Sequence, residues 1–176
     1  MKVADDGVFG VAFDPSGRLV AEGGAVGPVR VWRVADQRPA FPPLSAGPTA
    51  VPITVTAFDP AGSFLATTSF RGGTRLWQPT TGLGYGGELV ASPRPRSALT
   101  FDVPPLPALG TAFSPDGKLL AVAGVETRAM LWDLDPAVWR QRACAIVGRN
   151  LTCEEWNLHL PSGAPYRATC SEWPTP

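Results

Sequence analysis

The chain has 176 residues, 44% of them hydrophobic and 17% charged, which suits one folded domain with a core and argues against a disordered chain. Fifteen basic residues balance fifteen acidic ones, so no electrostatic footprint for nucleic acid is present. No run of about 18 apolar residues offers a membrane span, and the start "MKVADDGVFG" lacks the apolar segment of a secretory signal; a cytoplasmic protein is expected.

Three stretches share one layout: "VAFDPSGRLVAEGGAVGPVRVWRV", "TAFDPAGSFLATTSFRGGTRLWQP" and "TAFSPDGKLLAVAGVETRAMLWDL". Phe13 to Trp32, Phe58 to Trp77 and Phe113 to Trp132 are each 19 residues apart. All length variation falls between the units, so this is an internal repeat. In the first unit the turn is Asp14-Pro15-Ser16-Gly17, in the second Asp59-Pro60-Ala61-Gly62, in the third Ser114-Pro115-Asp116-Gly117. Pro at the second position and Gly at the fourth suit a type I turn. In the third unit, strands are predicted at Gly110–Phe113, Lys118–Ala123 and Arg128–Trp132, with side chains alternating between faces. Each unit reads as an antiparallel meander. The 20 prolines and 19 glycines fall mostly between these runs, where turns need their backbone geometry. A further outer strand is predicted near Glu88–Ala91. The stretch "SPRPRSALTFDVPPLPALG" reads as a loop insertion, and "PPLP" within it as a loop or a polyproline docking segment.

After Trp132 the pattern becomes helical. Asp135 caps a helix with Pro136 at its first position, Leu134 and Trp139 form its staple, and Gly148 stops it. Trp139, Ala143, Ile146 and Val147 share one face. Thr152 and Glu155 form a capping box with Leu151 and Trp156 as staple, and Pro161 ends the second helix. The helices are expected at about 136–147 and 153–160.

The repeats resemble the WD-repeat family of β-propellers, over roughly residues 8–134. The resemblance rests on the "AFSPDGKLLA" core and the "RVW", "RLW" and "MLWDL" strand ends. It implies an all-β fold: a partial propeller of three four-stranded-type blades, about 8–45, 53–92 and 108–134, within a region 1–134. A short α-helical tail, 135–176, follows. The Phe-to-Phe offsets are 45 and 55 residues, and the first fits a blade of ~40–45 residues. Trp132-Asp133 is the only copy of the family's Trp-Asp pair; the others read Trp32-Arg33 and Trp77-Gln78. The family's buried His-Asp-Ser-Trp chain cannot form, because its Asp position is Val26, Arg71 and Glu126 and the single histidine, His159, lies outside the repeats. Packing is therefore expected to rest on apolar contacts such as Phe13, Leu19, Val31 and Trp32. Phe13, Trp32, Phe58, Trp77, Phe113, Trp132, Trp139 and Trp156 are the expected structural residues, with Trp32, Trp77 and Trp132 buried alike.

The tail resembles the one that closes many bacterial WD-repeat proteins, especially actinobacterial ones. The matching pieces are Ala143-Cys144, Arg149-Asn150-Leu151-Thr152, Glu155-Trp156, Pro165-Tyr166-Arg167 and Thr169-Cys170. Such proteins often join the propeller to a STAND-type switch ATPase or a protein kinase. The resemblance implies the end of a propeller and no new activity. Propellers need about 4–8 blades, so the chain is expected to be part of a larger propeller, with a ring of identical chains as the lesser alternative.

Catalytic and metal chemistry finds no candidates. Cys144, Cys153, His159 and Cys170 lack the two-to-four-residue ligand spacing of a structural zinc site, and buried or surface thiols are the simpler reading. A Cys144–Cys170 thiol contact is expected if the tail folds back, reduced rather than bridged in a cytoplasmic setting. Glu154 and Glu155 suit a helix start, and His159 suits a surface partnership with Glu155. "GGTRLW" and "GLGYGG" read as turns. No catalytic residues, cofactor or metal are expected, and the chain is not expected to be an enzyme. Three functions stand open: an interaction scaffold, favoured; a regulatory or sensor region of a switch ATPase or kinase; an enzyme, for which no site is visible. The expected partners are other proteins or missing blades, with self-association through open blade faces; no nucleic acid or membrane partner is expected.

Overall fold

The computed structural model describes residues 7–25, 28–44, 51–70, 73–90, 109–123, 129–160 and 163–174. The chain divides into two compact units, Met1–Trp132 and Asp133–Pro176. The first is mostly β. Its first sheet runs β1 (Val8–Phe13), β2 (Leu19–Gly24), β3 (Arg30–Arg33), antiparallel and in chain order. The second adds a fourth strand: β4 (Ile53–Phe58), β5 (Leu65–Ser69), β6 (Gly73–Trp77), β7 (Gly84–Val90). The third comprises β8 (Gly110–Phe113), β9 (Leu119–Ala123) and β10 (Ala129–Asp133).

The turn residues explain the meanders. Gly17, Gly62 and Gly117 adopt φ of 69°, 70° and 71°, a left-handed conformation that a Cβ disfavours. Each N–H closes the turn on the residue three before it. The first turn residue does a second task that the sequence pattern did not reveal. The Asp14 carboxylate accepts the Leu19 N–H at 2.6 Å, the Asp59 carboxylate the Phe64 N–H at 2.7 Å, and the Ser114 hydroxyl the Leu119 N–H at 2.9 Å. An oxygen-bearing side chain is what these positions share.

The register answers why the aromatics recur 19 residues apart. Phe13 pairs with Val20 and Val20 with Trp32; Phe58 pairs with Leu65 and Leu65 with Trp77. Opposed residues share a face, so phenylalanine and tryptophan flank an aliphatic residue of the middle strand. Phe113 pairs with Leu120 in the same way, and β10 brings Trp132 to the far side of β9. This is the aromatic face of each sheet. The opposite, alanine face carries the pairs Ala12–Ala21, Ala57–Ala66 and Ala112–Ala121.

The sheets stack in sequence, with β4 lying against β1 and β2 on one side and β8 on the other. Ile53, Leu65 and Trp77 of the second sheet form one buried cluster with Ala21, Val29, Val31 and Leu44, and Leu19 and Phe58 pack against it. Gly23 sets the spacing: a Cβ there would lie 2.6 Å from the Ile53 side chain, too near for any larger residue.

Three expectations need correction. The outer strand predicted near Glu88–Ala91 begins earlier, at Gly84, and Ala91 lies outside the described residues. Gly84, Gly86 and Gly87 belong to the strand, where a register irregularity opposite β6 accommodates Gly86 at φ 59°; glycine in a strand often marks such a bulge. Likewise Gly73–Trp77 is a strand rather than a turn. The first and third sheets have no fourth strand among the described residues, where four-stranded blades are expected. Instead residues 38–44 follow β3 through isolated bridges, Val29 to Leu44 and Trp32 to Pro39, because Pro39, Pro42 and Pro43 lack the N–H a ladder needs. Val26, Arg71, Glu126, Pro161 and the "PPLP" segment lie outside the described residues.

The second unit holds α1 (Pro136–Val147) and α2 (Cys153–His159). Asp135 accepts the Ala137 N–H at 2.9 Å, and Gly148, at φ 68°, returns its N–H to the Cys144 carbonyl. Thr152 and Glu155 form both halves of the capping box. The expected apolar face of α1 is not buried: Trp139, Ile146 and Val147 are exposed, and Cys144 is the buried residue of this helix. The helix is anchored by one covalent point rather than by an apolar stripe. No helix among the described residues is long and apolar enough to cross a membrane.

Candidate interaction surface

Polar groups inside the stack are sparse and specific. The Trp77 indole Nε1 donates to the Thr67 hydroxyl at 2.8 Å, and the Thr68 hydroxyl bonds Thr74 at 3.0 Å and, across the sheet junction, Thr111 at 2.6 Å. A hydroxyl chain thus occupies the second sheet. It is absent from the equivalent positions of the others, since Thr67 corresponds to Glu22 in the first unit and Val122 in the third. Accordingly the Nε1 atoms of Trp32 and Trp132 are buried without a hydrogen-bond partner among the described residues.

The three tryptophans are therefore not equivalent. Trp77 is 6% exposed, whereas Trp32 and Trp132 are half-buried. For Trp32 the reason is position in the stack, because the first sheet's aromatic face has no neighbour among the described residues; Trp132 is half-buried although its face meets the second sheet. On the first sheet Phe9, Val11 and Phe13 are 61%, 62% and 63% exposed. Phe58 and Phe113, on aromatic faces that have neighbours, are half-buried. Glu22 sits in the same open face, itself buried, with Arg30 at 3.5 Å as its counter-ion. At the other end the third sheet's alanine face has no neighbouring sheet among the described residues, and Leu131 is 67% exposed. Patches of this kind mark interaction surfaces on soluble proteins.

The tail residues singled out in the sequence converge on one another. Cys144 and Cys170 form a disulfide with Cα atoms 5.6 Å apart, which corrects the expectation of a reduced thiol contact. Folding of residues 148–169 brings the two cysteines together, and disulfides persist in oxidising surroundings. Asn150 locks this return. Its Nδ2 donates to the Trp173 and Pro174 carbonyls at 2.7 and 3.0 Å, and its Oδ1 accepts the Cys170 N–H at 2.8 Å. Trp156, also buried, donates to the Ala164 carbonyl at 3.0 Å and packs 5.3 Å from the Tyr166 ring. Trp139, although 45% exposed, donates its Nε1 to the Asp133 carbonyl.

Glu155 pairs with Arg149, not with His159. Two contacts of 2.7 Å join them, and Glu155 also accepts the Thr152 N–H. The Arg149 guanidinium, with that backbone bond, holds the Glu155 carboxyl down to about 2. Cys153 is a free, exposed thiol. With Cys144 and Cys170 bonded to each other, the nominal zinc set reduces to Cys153 and His159, and no metal-ligating cluster occurs among the described residues. A cleft of 280 Å³ beside the bridge is lined by Arg140, Gln141, Ser171 and Glu172. The chemistry of the tail is that of a structural lock.

A mostly β chain of three antiparallel sheets and two short helices is consistent with WD-repeat blades. Residues 108–133 match the family model for the WD domain, G-beta repeat, which supports a WD-repeat family for this chain. Such repeats are typically non-catalytic interaction domains. No curated protein matches the chain.

Proposed function

We propose that this chain is a non-catalytic protein–protein interaction scaffold, a segment of a larger WD-repeat propeller with a disulfide-locked C-terminal tail. The observation that carries the reading is the pair of uncovered sheet faces. An aromatic face packed on an alanine face is what the chain buries internally, and it leaves one of each without a neighbouring sheet among the described residues. Loops joining strands on a rigid frame supply further contacts.

The test is affinity capture with the full chain beside its Phe13→Lys and Leu131→Lys variants. Both positions are exposed, so neither change threatens folding. A partner held by the wild type and lost from at least one variant supports the scaffold. Identical capture profiles for all three chains overturn it.

A further inference from the structure

The two open faces match each other position for position. Inside the chain, Ile53, Phe58, Leu65 and Trp77 pack against Leu19, Ala21, Val29 and Val31. The repeat puts Val8, Phe13, Val20 and Trp32 at the positions of the first set, on the open aromatic face. It puts Leu119, Ala121, Ala129 and Leu131 at the positions of the second set. Ala121 pairs with Ala112 on the alanine face, and Leu131 alternates with Trp132 and so points the same way. Leucine and alanine recur unchanged, and the two valines become alanine and leucine. Exposure shows what is missing: Ile53 is 1% exposed and its counterpart Val8 42%, while Leu119 and Leu131 are 39% and 67% exposed.

The polar contact changes in a matched way too. Thr68 and Thr111 share a hydroxyl bond of 2.6 Å across the internal junction. Their counterparts on the open faces are Ala123 and Val11. Both hydroxyls are replaced by apolar groups together, so at this pair of positions neither face strands a hydroxyl when the two meet. Glu22 brings its own counter-ion, Arg30, into the contact.

We infer that a second copy of this chain covers both faces. The aromatic face of the first sheet in one copy seats on the alanine face of the third sheet in the other. The same contact, made twice, closes a ring of six sheets. Six lies within the ~4–8 blades of known propellers, and a head-to-tail contact forms a closed assembly when its rotation returns to the start. Pairing two aromatic faces would instead set Phe13 against Phe13 and leave the alanine faces bare. The inference rests on reading the sheets as propeller blades, and it names the second copy as the source of the rest of the larger propeller.

Sedimentation of the full chain and two charge variants tests it. The wild type is expected at twice the chain mass. Phe13→Lys spoils every aromatic face and Leu131→Lys every alanine face, so each alone is expected to be monomeric. Mixed together, the two variants retain one intact junction, formed by the aromatic face of the Leu131→Lys chain and the alanine face of the Phe13→Lys chain. A one-to-one heterodimer is therefore expected from the mixture. A monomeric wild type, a dimer that persists in either variant alone, or a mixture that stays monomeric each overturns the inference. Thermal unfolding of the same samples separates the two readings. A monomer that melts cooperatively with the wild-type β spectrum leaves the blade reading intact while removing the second copy, whereas loss of the β spectrum in the wild type removes the blades themselves.

Discussion

Replacing Trp77 with alanine is the most informative single perturbation of the stack. The side chain is 6% exposed and belongs to the buried cluster with Leu65, Ile53, Val31 and Ala21. Truncating a buried aromatic removes its transfer free energy and leaves a cavity, together about 3–5 kcal/mol. The indole also donates to Thr67, whose hydroxyl is itself buried; leaving that group without its partner adds about 1–3 kcal/mol. A domain holds only ~5–15 kcal/mol in all. At about 2–4 °C per kcal/mol for a chain of this size, the first unit should lose about 10 °C or more in melting temperature, read by circular dichroism. Trp77→Phe keeps most of the volume and loses the hydrogen bond, so its cost should be about 1–3 kcal/mol. Trp32→Ala, measured in the Phe13→Lys chain to keep the open face open, should cost clearly less than Trp77→Ala, because Trp32 is half-buried and its Nε1 has no partner among the described residues. A Trp77→Ala chain that melts with the wild type, or a Trp32→Ala chain that loses more, would refute the ranking and with it the stacking order.

Three further outcomes are expected. Thiol titration of the denatured, unreduced chain should find one reactive group, Cys153, and three after reduction; the loss of a bridge across 26 residues should cost the tail about 3.5 kcal/mol in the chain-entropy account, seen as a lower urea midpoint, and three thiols before reduction would remove the bridge. Glu155 is held at about 2, below its ordinary 4.5, so its stabilisation of the tail is complete above about 4.5 and is lost as the pH falls towards 2; Glu155→Gln should flatten that part of the acid-unfolding profile, and an unchanged profile would show that the Arg149 pair contributes nothing there. Asp59→Ala removes a buried side chain and leaves the part-buried Phe64 turn amide without its acceptor, and should cost about 1 kcal/mol or more, whereas Ser114→Ala, at an exposed turn, should cost less in the same melting assay.

Much of this protein was legible because it depends on residues a few positions apart. The turns opened by Asp14, Asp59 and Ser114, the Asp135 cap, the αL stop at Gly148 and the Thr152–Glu155 box each close within two to five residues. Spacing alone decides such contacts, and the same holds for alternation, which set phenylalanine and tryptophan on one face. The glycines of β7 misled because a bulged strand and a turn draw on the same residue. Tertiary structure decided the rest. Trp32 and Trp77 are identical in the repeat, yet one faces an open end and the other a neighbouring sheet, so burial differs where sequence does not. Cys144 meets Cys170 only because Asn150 ties residues 150 and 173 together, and Arg149 takes Glu155 from His159 because the loop between the helices turns it back. These are contacts between segments whose separation along the chain carries no period, and only packing in three dimensions selects among them.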